Sequence, residues 1–311
     1  MFKKVLVPTD FSSYAHKMQE CLADIPGIEE VVLLNVVDGG NPMNLERKGW
    51  SYDSLIDEAE TRLAEQADHL AHLGEKGPSV RPLLKVIVEP MSGADGVDMK
   101  RLQPRSGLGL IEGGSVGEAI VKAAMEENAS LICMGAQGKG LVEGMLLGSV
   151  STEVLRQGQT DLLIIRHMIL DGGKDGEHEK FCRDIFSKVM LTSDFSEAAT
   201  ETVSKAKDLM GVREILLVHV IARELDFDEA AKRLNLLREE LTGPGRKITV
   251  HILEGHPAEE ILALAKKQDV SLIMMGSQGK SWSRQIRVGS TTFDVARQAK
   301  SPVMVIRPKK S

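Results

Sequence analysis

The chain repeats itself, and that repeat constrains its fold more than any single motif does. Lys4-Val5-Leu6-Val7-Pro8-Thr9-Asp10-Phe11-Ser12 returns as Lys188-Val189-Met190-Leu191-Thr192-Ser193-Asp194-Phe195-Ser196. Glu30-Val31-Val32-Leu33-Leu34-Asn35-Val36 returns as Glu214-Ile215-Leu216-Leu217-Val218-His219-Val220, so both pairs share one offset along the chain. Ser130-Leu131-Ile132-Cys133-Met134-Gly135 returns at a shorter offset, as Ser271-Leu272-Ile273-Met274-Met275-Gly276. Leu162 to Arg166 is answered by Pro302 to Arg307 at nearly that shorter offset. The first copy therefore carries a long insertion, placed between positions 38 and 110. With 311 residues, 42% of them hydrophobic, there is material for two ordinary cores.

Within each copy, short apolar runs alternate with amphipathic stretches. Runs near 5–7, 31–36, 84–88, 131–134 and 162–165 read as strands buried on both faces. The second copy repeats them near 189–192, 215–220, 248–253, 272–275 and 303–306. Helical periodicity fills roughly 13–24, 53–73, 115–128 and 149–157. The alternation predicts an α/β protein of two tandem, doubly wound, Rossmann-like domains, each with a parallel sheet. The expected first domain is 1–170, with an insertion near 38–110; the second is 184–311. The polar, glycine-rich Asp171 to Glu177 falls in the linker 171–183. Each copy ends on an apolar strand, Leu162 to Ile165 and Val303 to Ile306. Antiparallel pairing of these two edges would make an internal pseudo-dimer and remove an aggregation hazard.

Two loops carry the same spaced glycines. Gly135-Ala136-Gln137-Gly138 is followed, across the same gap in each copy, by Gly148-Ser149, and Gly276-Ser277-Gln278-Gly279 by Gly289-Ser290. Each follows a strand and opens a helix. Glycine lets backbone N–H groups approach an anion closely, and a helix N-terminus adds unpaired N–H groups and a positive dipole end. In an open parallel sheet a ligand sits at the carboxyl ends of the strands. Asp10, Asp194, Val36, Val220 and both glycine loops follow or end such strands. A carboxylate there suits an amino group or a ribose hydroxyl, although Ser12 and Ser196 nearby make a helix cap an equal alternative for each aspartate. A Walker A loop is ruled out at Gly279-Lys280-Ser281, because Met274 stands where its first glycine belongs.

Composition narrows the partners. Net charge is −6 and aromatics are only 4%, which argues against nucleic acid. No membrane span or signal-like segment is legible, so a cytoplasmic protein is expected. Cys21, Cys133 and Cys182 are odd in number and widely spaced, and predict neither a disulfide framework nor structural zinc. His69 and His72 lie close together on a charged helix and read as a solvated face, so no metal site is expected from side chains. His219 reads equally as a core histidine or a ligand contact. Lys139 and Lys280 are within reach of phosphates or in solvent; Arg284 and Arg287 charge only the second loop, where the first has Glu143.

The strand ending Val7-Pro8-Thr9-Asp10-Phe11-Ser12, the Glu254-Gly255-His256-Pro257-Ala258-Glu259-Glu260-Ile261 turn and the G-x2-G-x9-G-[S/T] loops together resemble the universal stress protein family, in its tandem-domain form. The resemblance covers nearly all of both copies. It implies a five-stranded sheet per domain, pairing through the last strands, and ATP or AMP binding, with Mg or Mn carried on the phosphates. The ligand set it implies in the first copy is Pro8, Thr9, Asp10, Val36, Met134, Gly135, Gly138, Gly148, Ser149 and Val150. In the second it is Thr192, Ser193, Asp194, Val220, Met275, Gly276, Gly279, Gly289, Ser290 and Thr291. Thr192 departs from the family's proline. The function so implied is an adenine-nucleotide sensor or regulatory module with an unidentified protein partner and a homodimer left open. A slow ATPase or nucleotide transferase and a nucleotide-free scaffold are the alternatives; no paired acid–base groups recur in the loops, so at most weak hydrolysis is expected. The glycine-rich stretch Met91 to Gly107 reads as a loop that either covers the first site or stays remote from it.

Overall fold

In the computed structural model, residues 2–39, 51–72, 77–88, 108–137, 147–166, 184–221, 226–279 and 288–308 are described. The linker 171–183, the stretch Met91 to Gly107, and Gly138, Lys139, Glu143, Lys280, Arg284 and Arg287 lie outside them. The first half runs β1 (Lys4–Pro8), α1 (Ser13–Glu20), β2 (Glu30–Asp38), α2 (Tyr52–Ala71), β3 (Ser79–Val88), β4 (Leu108–Glu112), α3 (Val116–Glu126), β5 (Leu131–Gly135), α4 (Ser149–Gln157) and β6 (Asp161–Ile165). The second runs β7 (Lys188–Thr192), α5 (Glu197–Lys207), β8 (Glu214–Ile221), α6 (Phe227–Leu241), β9 (Lys247–Glu254), α7 (Pro257–Gln268), β10 (Leu272–Gly276), α8 (Ser290–Gln298) and β11 (Val303–Ile306).

The eleven strands among the described residues form one sheet, in the order β4-β3-β2-β1-β5-β6-β11-β10-β7-β8-β9. Within each half every pairing is parallel. The halves join through one antiparallel pair, with Ile164 opposite Val303, Leu163 opposite Met304 and Leu162 opposite Val305. The expected pseudo-dimer is thus built strand to strand.

Side chains alternate across the pleat and divide the core into two layers. Val5, Val7, Leu131, Cys133, Leu163 and Ile165 pack on one face with α1 and α2, continuous with Leu217 and Met304 of the second half. Leu6, Ile132, Met134, Leu162 and Ile164 pack on the other with α3 and α4, continuous with Ile273 and Val305. Both layers cross the junction, so the halves share their core.

The five-strand repeat is present in both halves, and β4 is an addition to the first. The register locates the insertion. Glu30 of β2 stands beside Ser79 of β3, and its equivalent Glu214 of β8 stands beside Lys247 of β9. The offset between the copies is therefore shorter at β3/β9 than at β1/β7, and shorter again at β5/β10, where Leu131 answers Leu272. The additional residues thus enter in two pieces, one before β3 and one after it. The second piece ends in β4, laid parallel on the outer edge of β3 from Leu84–Leu108 to Val88–Glu112. The sequence reading marks no strand at Leu108-Gly109-Leu110, where a glycine interrupts a short apolar run. One cysteine differs from expectation: Cys21 is disulfide-bonded, while Cys133 is free and buried. Burial without a partner pushes the Cys133 thiol up to about 12, which makes it an inert core residue. No helix among the described residues is long and apolar enough to cross a membrane.

Candidate functional site

The strand order fixes where a ligand can sit. In the first half the chain moves outward from β1 through β2 and β3, then returns to β5 on the other side of β1. In the second it does the same from β7, returning to β10. The loops after β1 and β5 therefore diverge at a switch point, as do those after β7 and β10, and each leaves a crevice. Each crevice is a cavity, of about 430 Å³ in the first half and about 310 Å³ in the second.

The described residues of both expected ligand sets line these cavities. Pro8, Thr9, Asp10, Val36, Met134, Gly135, Gly148, Ser149 and Val150 surround the first. Thr192, Ser193, Asp194, Val220, Met275, Gly276, Gly279, Gly289, Ser290 and Thr291 surround the second. Gly138 alone lies outside the described residues.

The aspartates are held by the backbone turn behind them. Asp10 Oδ1 accepts from the Ser12 amide at 3.0 Å and the Ser12 hydroxyl at 2.6 Å. Asp194 Oδ1 accepts from the Ser196 amide at 3.0 Å. The helix caps are the serines themselves, which accept from the Ala15 and Ala199 amides. The aspartates brace the caps and also border the cavities. Between each pair the chain reverses through a left-handed phenylalanine, Phe11 at φ 61° and Phe195 at φ 63°. A bulky residue seldom adopts this conformation. Both rings are covered by an arginine, Arg62 at 4.5 Å and Arg233 at 4.2 Å. The same left-handed turn recurs at the same place in both halves, directly after the cavity-lining aspartate.

The glycine loops close on themselves. The Gly148 amide donates to the Ala136 carbonyl and the Gly289 amide to the Ser277 carbonyl, both at 2.8 Å. The Ser151 hydroxyl donates to the Gly135 carbonyl at 2.9 Å, and that of Thr292 to the Gly276 carbonyl at 2.8 Å. These bonds seat the first turns of α4 and α8 against the strand ends. Neither helix has a side-chain cap. Their first internal bonds run from Thr152 to Gly148 and from Phe293 to Gly289. The amides of Ser149, Val150 and Ser151, and of Ser290, Thr291 and Thr292, thus have no helical acceptor. Three aligned amides at a dipole's positive end favour an anion.

None of Gly135, Gly148, Gly276, Gly279 and Gly289 has a positive φ; close packing constrains Gly135, Gly276 and Gly279, whereas a Cβ on Gly148 or Gly289 would meet its neighbours at ordinary contact distance. A Cβ on Gly279 would lie 2.6 Å from Asp194 Oδ2, and one on Gly276 would lie 3.2 Å from the Ala198 backbone. The first contact shows that loop and aspartate meet across the second cavity.

Several lining residues escape the sequence reading: Asn35, Gln137 and Ile120 in the first cavity, and Gln278 and Ile261 in the second. Each falls at a repeat offset from a partner in the other half, a signal the sequence contained. Asn35 and His219 are such a pair. Asn35 Nδ2 donates to the Thr9 carbonyl at 2.8 Å, and His219 Nδ1 donates to the Ser193 carbonyl at 2.6 Å. His219 also packs on Phe195, with ring centroids 4.4 Å apart. His219 is therefore hydrogen-bonded and half-buried, and it lines the second cavity.

The family model of the universal stress proteins matches residues 1–166 and 186–307. A universal stress protein of Methanocaldococcus jannaschii is 29% identical over 159 residues, covering 41% of this chain and 98% of the relative. One from Mycobacterium bovis is 24% identical over 327 aligned positions, covering 97% of this chain and 94% of its own length. The crystal structure of a universal stress protein from Archaeoglobus fulgidus superposes with a TM-score of 0.68 at 26% identity, covering 99% of this chain and all of that one.

Proposed function

The chain belongs to the universal stress protein family as a tandem member, and from that premise we propose that it binds one adenine nucleotide, ATP or AMP, in each half and acts as a sensor or regulatory module. The observation that carries the reading is the duplicated crevice. Each has a strand-end aspartate on one wall and, on the other, a row of amides without a helical acceptor. Their sizes fall within or near the roughly 300–1,000 Å³ of small-molecule sites.

The adenine lies against Val36 or Val220 at the ends of β2 and β8, whose backbone groups meet its edge. The ribose lies over Met134-Gly135 or Met275-Gly276, with Asp10 or Asp194 accepting from its hydroxyls. The phosphates lie at Gly148-Ser149-Val150 or Gly289-Ser290-Thr291, with Gly138 and Gly279 in the loops before them. Mg2+ or Mn2+ enters on the phosphates. The units so defined are 1–170 and 184–311.

The test is to denature the purified protein and identify the nucleotide released and its stoichiometry. Calorimetry with ATP, AMP and GTP then follows on stripped protein. Two equivalents of an adenine nucleotide, with labelled ATP staying intact, is the expected result. Neither released nucleotide nor measurable binding overturns it, and steady turnover of the label replaces it with a slow ATPase.

A further inference from the structure

We propose that the first half holds a divalent transition-metal site formed by His16, Glu20 and His69. This site lies apart from the two crevices and does not depend on the nucleotide reading. One ligand atom from each of the three side chains lies within 4.8 Å of the others. His16 and Glu20 are one helical turn apart on α1 and share a face. His69 comes from the last turn of α2, and its ring stacks on that of His16, with centroids 4.8 Å apart and planes at 24°. Among the described residues this is the one group of three or more His, Cys, Asp or Glu that meets so closely.

The scaffold behind the cluster is fixed by other contacts. Arg62, Gln66 and His69 occupy one face of α2 at spacings of four and three. Arg62 donates to the Phe11 carbonyl at 3.3 Å, and Gln66 Oε1 accepts from the Thr9 hydroxyl at 2.9 Å. His69 completes that face by meeting α1. The helix pair is therefore held in register before any ion arrives, as a preorganised site requires. Metal–nitrogen and metal–oxygen bonds of about 2.0–2.2 Å place neighbouring tetrahedral ligands about 3.4 Å apart, so each atom moves about 0.8 Å to close on an ion, and the two stacked rings also turn out of parallel so that their in-plane lone pairs converge. Rotation of side chains that are half-buried or exposed supplies that movement.

Two imidazoles and one carboxylate favour Zn2+ and its neighbours over Mg2+ or Ca2+, which prefer all-oxygen shells. Three protein ligands leave a fourth position for water or an incoming group. The cluster is not part of the repeat. At the offset of β1/β7, His16 and Glu20 become Thr200 and Ser204. At the offset of Arg62 and Arg233, which cover equivalent phenylalanines, Gln66 and His69 become Leu237 and Glu240. The second half keeps the covering arginine and has neither histidine. His72, which the sequence pairs with His69, turns to the Asp68 carbonyl at 2.7 Å and is not one of the three. Since Ala15 and Met18 of α1 line the first cavity, an ion here fixes one wall of it.

The test is zinc titration of the full chain by calorimetry, with Co2+ absorption as a second readout. The variants are His16→Thr with Glu20→Ser, which install the residues the second half already carries on its helix, His69→Gln alone, and His72→Ala as control. The wild type should bind one more equivalent of zinc than the double variant. His69→Gln should weaken that equivalent at least tenfold, and His72→Ala should leave it unchanged. The Co2+ complex of the wild type should show visible bands that the double variant lacks. Equal zinc uptake by wild type and double variant, or a loss on His72→Ala as large as on His69→Gln, overturns the site.

Discussion

The contact between Gly279 and Asp194 gives the proposed nucleotide site its sharpest test. A Cβ at residue 279 would lie 2.6 Å from Asp194 Oδ2, where real Cβ atoms essentially never come closer than 3.0 Å. Gly279→Val therefore drives the carboxylate back until that gap opens, and the two γ-methyl groups drive it further. The obstructed atom is the end of a side chain, so the fold yields there at little cost. The site does not: a charge-assisted hydrogen bond of about 2.5–3.0 Å to a ribose hydroxyl is broken or badly bent. Losing it costs about 1.5–3 kcal/mol, or roughly 10- to 150-fold in affinity. Calorimetry with ATP on the full chain should show one of two equivalents weakened by that factor and the first-half equivalent unchanged. Because the harm passes through Asp194, the double variant Gly279→Val, Asp194→Ala should bind no worse than Asp194→Ala alone. Additive losses in that cycle, or unchanged binding by a folded Gly279→Val, refute the reasoning.

Other expectations concern the junction and its surroundings. Arg166→Met and Arg307→Met each strand a buried carbonyl, of Ala296 and Leu155 respectively, costing about 1–3 kcal/mol. Scanning calorimetry should show a lower Tm for both, with the larger fall for Arg307→Met because Arg307 also supports the buried Asp161 carboxylate; an unchanged Tm contradicts this. Residues 1–170 and 184–311, expressed together as separate chains, should sediment as one complex through β6 and β11, and Leu163→Asp should dissolve it. Burial works against the Glu127 charge, but Lys4 at 3.0 Å and the adjacent Arg81 outweigh it and hold its pKa below the usual range. A depressed folded pKa contributes stability that is present above the ordinary glutamate range and lost as pH falls through the folded value. Denaturant titrations should therefore show Glu127→Gln less stable than wild type at neutral pH, with the gap closing as pH falls below the ordinary glutamate range and through the lowered folded value; a constant gap removes the ion pairs as the cause.

Much of this architecture was legible because a buried parallel sheet writes itself as apolar runs. Every strand of the repeated set was marked by such a run, and the helices by their periodicity. β4 was not, because Gly109 sits inside a short strand and its partner lies across a long connection. The cavity walls that follow the strands were legible from the glycines and from Asp10 and Asp194. The first turns of α4 and α8 were legible with them, but Ile120 and Ile261 in the middle of α3 and α7 were not, since they look like ordinary core residues until the repeat is used as a ruler. The His16–His69 contact was hidden for a different reason. Helical spacing groups residues on one element, and it pointed to His72, whereas the ligands meet only once α1 and α2 are side by side. The disulfide of Cys21 was hidden likewise, since spacing in the chain says little about distance between elements.

The same symmetry ties the two crevices to one another across the junction. Arg166 follows β6 and donates to the Ala296 carbonyl in α8; Arg307 follows β11 and donates to the Leu155 carbonyl in α4. Each arginine is thus anchored in one half and holds the far end of the helix whose first turn faces the other half's crevice. The residue before each arginine completes the link, because the Ile165 carbonyl accepts from Ala136 and the Ile306 carbonyl from Ser277, both at 2.8 Å. Those amides belong to the glycine loops. Each crevice is therefore joined by two hydrogen bonds and a single step of chain to the helix of its counterpart, and the linkage runs in both directions. Burial brings Arg166 down to about 10, still well above neutral pH, so it stays charged and its bond to a carbonyl remains charge-assisted. Asp161 breaks the symmetry. It accepts from the Arg307 amide at 2.8 Å and meets Lys205 of α5, while its counterpart in the second half is Pro302, which offers no acceptor side chain. The junction is reciprocal in its arginines and one-sided in its carboxylate.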